Sequence, residues 1–237
     1  NSSYTHPTSA KRAADLMKFK SIWTQIANRV IDHPAELIFE VVNEPYFELN
    51  DDEMDFINLM IIDVIRSTGG NNSNRSIIIT GGGANSYQAP STIGDEVLNY
   101  DANLIASFHY YIPFNFTASS QEQYNDFNWG TNADKSTLDS HFDFVKNWSE
   151  TNNIPVTLGE FAADNESGYN YNTGLYGNNG GPVSADRIEY HRYIAEQAID
   201  RGFSFSAWCA GNKSTKTIHL RTCLLYTSDA ADDLRGV

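Results

Sequence analysis

The chain has 237 residues, of which 41% are hydrophobic and 13% aromatic, enough to build one large domain around a sizeable core. A formal charge of −14 argues against a nucleic-acid partner, whose phosphates need Lys and Arg, and fits a protein acting on a neutral substrate. No apolar run is long enough to span a bilayer, and two cysteines, Cys209 and Cys223, are too few for a disulfide framework and lie in no metal-ligand spacing.

In chain order, residues 10–30 place Ala14, Met17, Ile22, Trp23, Ile26 and Val30 at helical spacing. Leu37 to Val42 reads as a buried strand leading into Asn43-Glu44-Pro45. Residues 51–68 predict a second helix with Met54, Ile57, Met60, Ile61, Val64 and Ile65 on one side, stopped by Gly69-Gly70. Ser76 to Thr80 is a strand ending in Gly81-Gly82-Gly83, and Asn103 to Tyr111 is the next. Residues 134–150 form a helix with Leu138, Phe142, Val145 and Trp148 as its apolar stripe. Ile154 to Glu160 is a strand. Residues 185–201 are helical, capped by Ser184 and ended by Gly202, and Phe203 to Trp208 is the last strand.

Strands separated by helices imply parallel pairing. An open sheet covered on both faces would need both faces apolar. Here Ser107, His109 and Tyr111 share one face of a strand, and Ser204, Ser206 and Trp208 share one face of another. A barrel interior accommodates such groups, and its upper layer becomes an active site. The expected fold is therefore an α/β (β/α)8 barrel, represented from about its fourth strand to its eighth. The absence of a starting Met or signal peptide places the true N-terminus upstream. Residues 1–222 are read as the partial catalytic barrel. Residues 223–237 lack periodicity, resemble translated adapter read-through, and are read as a non-native or disordered tail.

In a parallel barrel, chemistry sits at the C-terminal ends of the strands. Glu44 and Glu160 both stand there, each after an apolar run, where an idle carboxylate would cost several kcal/mol. Pro45 is expected to hold Glu44 extended. Asn43 offers an amide suited to a sugar 2-hydroxyl. Two carboxyl groups facing one bond suit retaining glycoside hydrolysis, one as proton donor and one as nucleophile. Glu40 lies deeper on the same strand and is read as a structural partner for an Arg or His of earlier strands.

These motifs resemble glycoside hydrolase family 5, the cellulase family. The resemblance covers residues 10 to about 221 and rests on Asn43-Glu44-Pro45, His109-x-Tyr111, Leu158-Gly159-Glu160-Phe161 and Trp208. It implies Glu44 as general acid/base and Glu160 as nucleophile. It implies His109 and Tyr111 around the carboxylates, with the Tyr111 hydroxyl donated to Glu160, and Trp208 as the floor of the sugar subsite. Glu44 must hold a proton at working pH, which the charge of Glu160 favours, and can act as base once Glu160 is esterified.

The expected activity is an endo-β-1,4-glucanase, secreted, monomeric, with a polysaccharide or oligosaccharide substrate, no cofactor, no metal, and no membrane partner. A β-mannanase or other β-glycanase shares the same acid pair. A non-catalytic carbohydrate-binding barrel is a further reading. A metal-dependent hydrolase needs several His and Asp ligands at strand ends, and only His109 qualifies. Tyr169, Tyr171 and Tyr176 in the long segment 163–184, and Trp129, are candidates for stacking on sugars. Asp164-x-Glu166 and Lys213 are weaker suggestions of a calcium contact and a sugar contact.

Overall fold

The computed structural model describes residues 9–45, 49–170, 174–177, 179–209 and 215–216, with side chains from residue 12. Lys213, Tyr171 and the segment 223–237 lie outside the described residues.

The elements run α1 (Ser9–Arg29), β1 (Phe39–Glu40), α2 (Asp51–Ser67), β2 (Ile77–Ile79), α3 (Asp95–Leu98), β3 (Leu104–Tyr110), α4 (Phe114–Thr117), α5 (Asn132–Asn152), β4 (Val156–Phe161), α6 (Ser184–Asp200) and β5 (Ser204–Ala207). The five strands form one sheet in the order β1-β2-β3-β4-β5. Strand β1 pairs with β2 in parallel (Phe39 with Ile77), and β2 with β3 in parallel (Ile77 with Leu104). Sequence order equals spatial order, with no reversal point. That is the winding of a barrel and excludes a doubly wound sheet. The fold is thus part of a (β/α)8 barrel, as its polar strand faces indicated. No helix among the described residues is long and apolar enough to cross a membrane.

Two compact units are distinguished: residues 1–110, 135–160 and 194–206 in the first, and 111–134, 161–193 and 207–237 in the second. In the first, the apolar face of β3 packs outward. Phe108 meets Phe142 of α5 edge-on at 5.6 Å and Phe203 at 5.6 Å. Helix α2 starts with a full capping box, Asn50 accepting from the Glu53 amide (2.9 Å) and Glu53 accepting from the Asn50 amide (3.1 Å). Its Met54, Ile57, Ile61, Val64 and Ile65 are buried as the spacing predicts, while Met60 is half-buried. Each such side chain contributes roughly 1.5–3 kcal/mol relative to exposure.

Among the described residues no carboxylate pairs with fully buried Arg75. Its guanidinium donates to the carbonyls of Pro34 (2.6 Å), Leu37 (2.6 Å), His33 (2.8 Å) and Val30 (3.3 Å) and to Asn72 Oδ1 (2.8 Å). These bonds gather the turn from α1 into β1. No local pattern around Arg75 foretells this role.

Several elements differ from expectation. Among the described side chains of α1, only Trp23 and Ala27 are buried, whereas Met17, Ile22 and Ile26 are exposed. Strand β1 is two residues long, and Leu37 and Ile38 before it are exposed. Strand β5 is exposed throughout. Strands β1 and β5 close the two ends of the strand order, so each lacks a neighbour on one side, and hydrophobicity alone does not report that. Ser184 is the first residue of α6 rather than its cap, while Gly202 adopts φ 77 just past the helix end, the left-handed position that favours glycine there.

In the second unit Trp129 is 5% exposed and packs against Tyr190 (5.1 Å) and Tyr193 (5.9 Å). It is a core residue, not a sugar-stacking one. Asp164 is fully buried and accepts from the Ser120 amide (2.9 Å) and hydroxyl (2.5 Å) and from Lys216 Nζ (2.7 Å). Both of its oxygens are engaged, so it clips loops together instead of offering itself to calcium. The 163–184 segment is held by its own backbone bonds, among them Gly177 to Gly168 (3.0 Å) and Asn170 to Leu175 (2.9 Å), and brings Tyr169 and Tyr176 to 5.1 Å.

His191 of α6 donates from Nδ1 to the Arg187 carbonyl at 2.8 Å, which leaves Nε2 bare in a buried position. Burial is the main cause holding its imidazole down to about 4, and the nearby Arg187 charge acts the same way. The unfolded chain therefore binds a proton near pH 6.5 that the folded chain refuses until about 4. Stability is complete above pH 6.5 and falls with pH across that window, by about 3 kcal/mol in all. Thermal unfolding followed from pH 7 to 4 should show this loss, and His191→Leu should flatten it.

Candidate active site

Three side chains meet at the C-terminal ends of β1, β3 and β4. One side-chain ligand atom from each of Glu44, His109 and Glu160 lies within 4.8 Å of the other two. His109 Nδ1 stands 2.8 Å from Glu44 Oε1 and 3.6 Å from Glu160 Oε2. The imidazole is almost fully enclosed, with 2% of its side chain exposed, against 37% for Glu44 and 18% for Glu160. A buried ring thus presents one nitrogen to two carboxylates that remain open to a ligand.

The backbone delivers these groups in ways the chain pattern only partly foretells. Glu44 has φ 39, a left-handed conformation, not the extended one expected before Pro45. A non-glycine residue is disfavoured there by roughly 1–2 kcal/mol. The side chain is turned toward His109 at the expense of local backbone preference, and buried Pro45 follows it.

Gly159 sets the spacing between β3 and β4. A Cβ at this position would lie 2.9 Å from His109 Nε2 and 2.9 Å from Ser107 Oγ. Only glycine leaves the imidazole its place. Ser107 lies two residues before His109 on the same strand face, is fully buried, and finds no partner of full hydrogen-bond geometry. It still lies close enough to help lower the Glu40 pKa.

Glu40 is exposed at the edge of the sheet, with its carboxyl partly withdrawn from water. Burial pushes its pKa up first, His109 pulls it back, and the charge of Glu160 pushes it up again. Glu40 therefore senses the same charge cluster. The sequence reading makes it a buried partner for an Arg or His of earlier strands, whereas here the residue is exposed.

Asn43 is exposed beside Glu44. Tyr111 and Trp208 fall in the second unit and are both half-buried. There the Tyr111 carbonyl accepts from the Thr117 hydroxyl at 2.6 Å, and the Trp208 amide donates to the Phe161 carbonyl at 3.0 Å. Sequence reading missed Asn85. It is fully buried, and its Nδ2 reaches His109 Nε2 at 3.5 Å. The available signal was an Asn two residues after a glycine run at a strand's C-terminal end.

With this geometry in place, comparison with known proteins is informative. The family profile described as Cellulase (glycosyl hydrolase family 5) matches residues 2–214. Endoglucanase H of Acetivibrio thermocellus is 36% identical over 201 residues, covering 83% of this chain and 19% of that protein. Endoglucanase B of Clostridium cellulovorans is 32% identical over 218 residues, covering 86% of this chain and 46% of that protein. The chain thus spans less than half the length of these curated relatives. Among solved structures, a broad-specificity endoglucanase from Clostridium acetobutylicum superposes with TM-score 0.72 at 27% identity, covering 92% of this chain and 64% of that one. The Cel5A enzyme of Thermotoga maritima, solved with mannotriose, gives TM-score 0.71 at 26% identity, covering 84% and 60%.

The close approach of Gly159 to the imidazole yields a direct test. Gly159→Ala should cost about 1–3 kcal/mol of stability by chemical denaturation, the usual price of overpacking. It should also shift the His109 side-chain NMR signals as the ring leaves Glu44. Unchanged signals and stability would contradict the packing described.

Proposed function

The chain belongs to the cellulase family, glycosyl hydrolase family 5, and from that premise we propose that it cleaves β-1,4-linked glucans internally, with retention of configuration. Glu44 is the general acid/base and Glu160 the nucleophile. One observation carries the reading: an oxygen of each carboxylate lies within 4.8 Å of the other. Retaining enzymes hold the pair about 5–5.5 Å apart, whereas inverting enzymes leave about 6.5–9.5 Å for a water. The 4.8 Å bound on the nearest oxygens favours the retaining spacing.

The reaction runs in two displacements. Glu44 gives its proton to the glycosidic oxygen while Glu160 attacks the anomeric carbon from the opposite face. The leaving sugar departs and a glycosyl ester remains on Glu160. With its charge gone, Glu160 no longer favours a proton on Glu44, so Glu44 takes one from water, which opens the ester. His109 Nδ1–H, directed at both carboxylates, steadies negative charge as it moves between them. The family resemblance supports Asn43 as the partner of the sugar 2-hydroxyl, and Tyr111 and Trp208 as further substrate-binding residues.

A polymeric glucan cannot cross a membrane, so the enzyme acts outside the cell, as a monomer. The catalytic part is residues 1–222. A mannan-cleaving reading stands second. It is favoured by one observation, that the similar Thermotoga maritima enzyme has been solved both with mannotriose and with cellobiose.

Assay of the chain on carboxymethylcellulose, mixed-linkage β-glucan and mannan separates the two readings, with glucans expected to be cut fastest. Glu160→Ala should abolish turnover. Glu44→Ala should lose activity on unactivated glucans. On an activated aryl glycoside it should be rescued by azide, giving a glycosyl azide of retained configuration. No glucan cleavage by the wild-type chain, wild-type rates in either variant, or an inverted product would overturn the proposal.

A further inference from the structure

We propose that Asn85 is a positioning residue of this site: its buried amide decides which nitrogen of His109 carries the proton, and so keeps the Glu44 proton free for the substrate. The inference deepens the function proposed above and rests on it for its catalytic meaning.

A neutral imidazole has one N–H and one bare nitrogen. If the hydrogen sits on Nδ1, His109 donates toward Glu44 at 2.8 Å, and bare Nε2 needs a donor. The Asn85 amide stands at that edge, with Nδ2 3.5 Å away. If the hydrogen instead sits on Nε2, bare Nδ1 faces Glu44 Oε1 directly. A proton on Glu44 would then be held by the imidazole and withheld from the glycosidic oxygen. A general acid in that state is occupied. A donor at Nε2 selects the productive tautomer.

The chain goes to some length to put that donor there. Gly83, Ala84 and Asn85 have φ of 65, 52 and 55, three consecutive left-handed residues at the exit of β2. Alanine is disfavoured in this conformation, and asparagine tolerates it. The turn is also fixed from two sides. A side chain at Gly81 would collide with the Ala89 carbonyl and the Thr92 hydroxyl. Tyr87 lies flat on His141 of α5, with ring centroids 4.0 Å apart and planes 18° apart.

The result is a fully buried amide whose Oδ1 has no protein partner among the described residues and whose Nδ2 points at one imidazole. A loop serving only as a connector would leave its asparagine in water. On the same ring edge Gly159 comes close enough that no side chain fits, so the amide is the polar group positioned to cap Nε2.

The test is long-range ¹H–¹⁵N NMR of the full chain labelled at histidine, with His109 assigned by substitution. Wild type should show Nδ1 protonated and Nε2 bare. Asn85→Asp keeps the left-handed backbone preference but presents an acceptor, so Nε2 should become protonated. Asn85→Gly keeps the backbone and removes the amide, so the two tautomers should mix. On glucan, Asn85→Asp should lower kcat by on the order of tenfold or more with KM nearly unchanged. A wild-type His109 protonated on Nε2 alone, or a tautomer indifferent to Asn85→Gly, would overturn the proposal, and the wild-type spectrum decides even if a variant fails to fold. Loss of the functional reading shows up separately, as glucan cleavage that survives Glu44→Ala and Glu160→Ala while the tautomer results stand.

Discussion

Two carboxylates held within 4.8 Å of each other are the constraint around which this site is organised. Two full charges at that distance repel by about 3 kcal/mol at an effective dielectric near 20. Glu40 adds a third acid to the same neighbourhood; burial is the main cause of its raised pKa, and the charge of Glu160 adds to it. What makes the arrangement tolerable is a single buried imidazole, whose Nδ1 faces both acids at 2.8 and 3.6 Å. The same repulsion is chemically useful. It suits the division of labour proposed for the pair, one carboxyl as acid and the other as nucleophile.

The scaffold answers this constraint with rigidity on the far side of the sheet. Phe108 alternates with Ser107 and His109, so the strand that presents the imidazole inward locks its other face on Phe142 and Phe203. Gly159 lets β4 come close enough to carry Glu160 beside it. At the opposite end of the strands, Arg75 collects carbonyls from the turn into β1 and fixes the start of the strand that ends in Glu44. The two carboxylates are half-open, and the residues that hold them are sealed.

Much of this was legible in the sequence, for identifiable reasons. Helices and strands followed from spacing, because burial repeats with the period of each element. Glu44 and Glu160 stood out because a carboxylate after an apolar run is costly without a purpose. The errors came where a tertiary contact overrides a local pattern. Trp129 reads as a surface stacker in a polar segment but packs on Tyr190, twisted against it by 88°. Met17 and Ile22 sit at helical spacing yet are exposed. Pro45 restricts its neighbour toward extended backbone, and Glu44 is left-handed all the same. Asn85 and Arg75 were illegible because their partners are remote: an imidazole from another strand, and carbonyls, which every residue has.

The distribution of backbone strain separates function from framework. Among the described residues, left-handed non-glycine positions are Glu44, Ala84, Asn85, Asn153 and Ser167. Asn153 follows α5, where asparagine commonly ends a helix and little is strained. Ser167 lies in a long loop. The other three cluster at the C-terminal ends of β1 and β2, two of them contacting His109 directly. A barrel places its variable loops at that end so that chemistry can change without loss of the core. Strain concentrated there, where it aims a carboxylate and an amide at one ring, is what a fold selected for orientation would retain. A fold selected for stability alone would have relaxed all three positions to glycine.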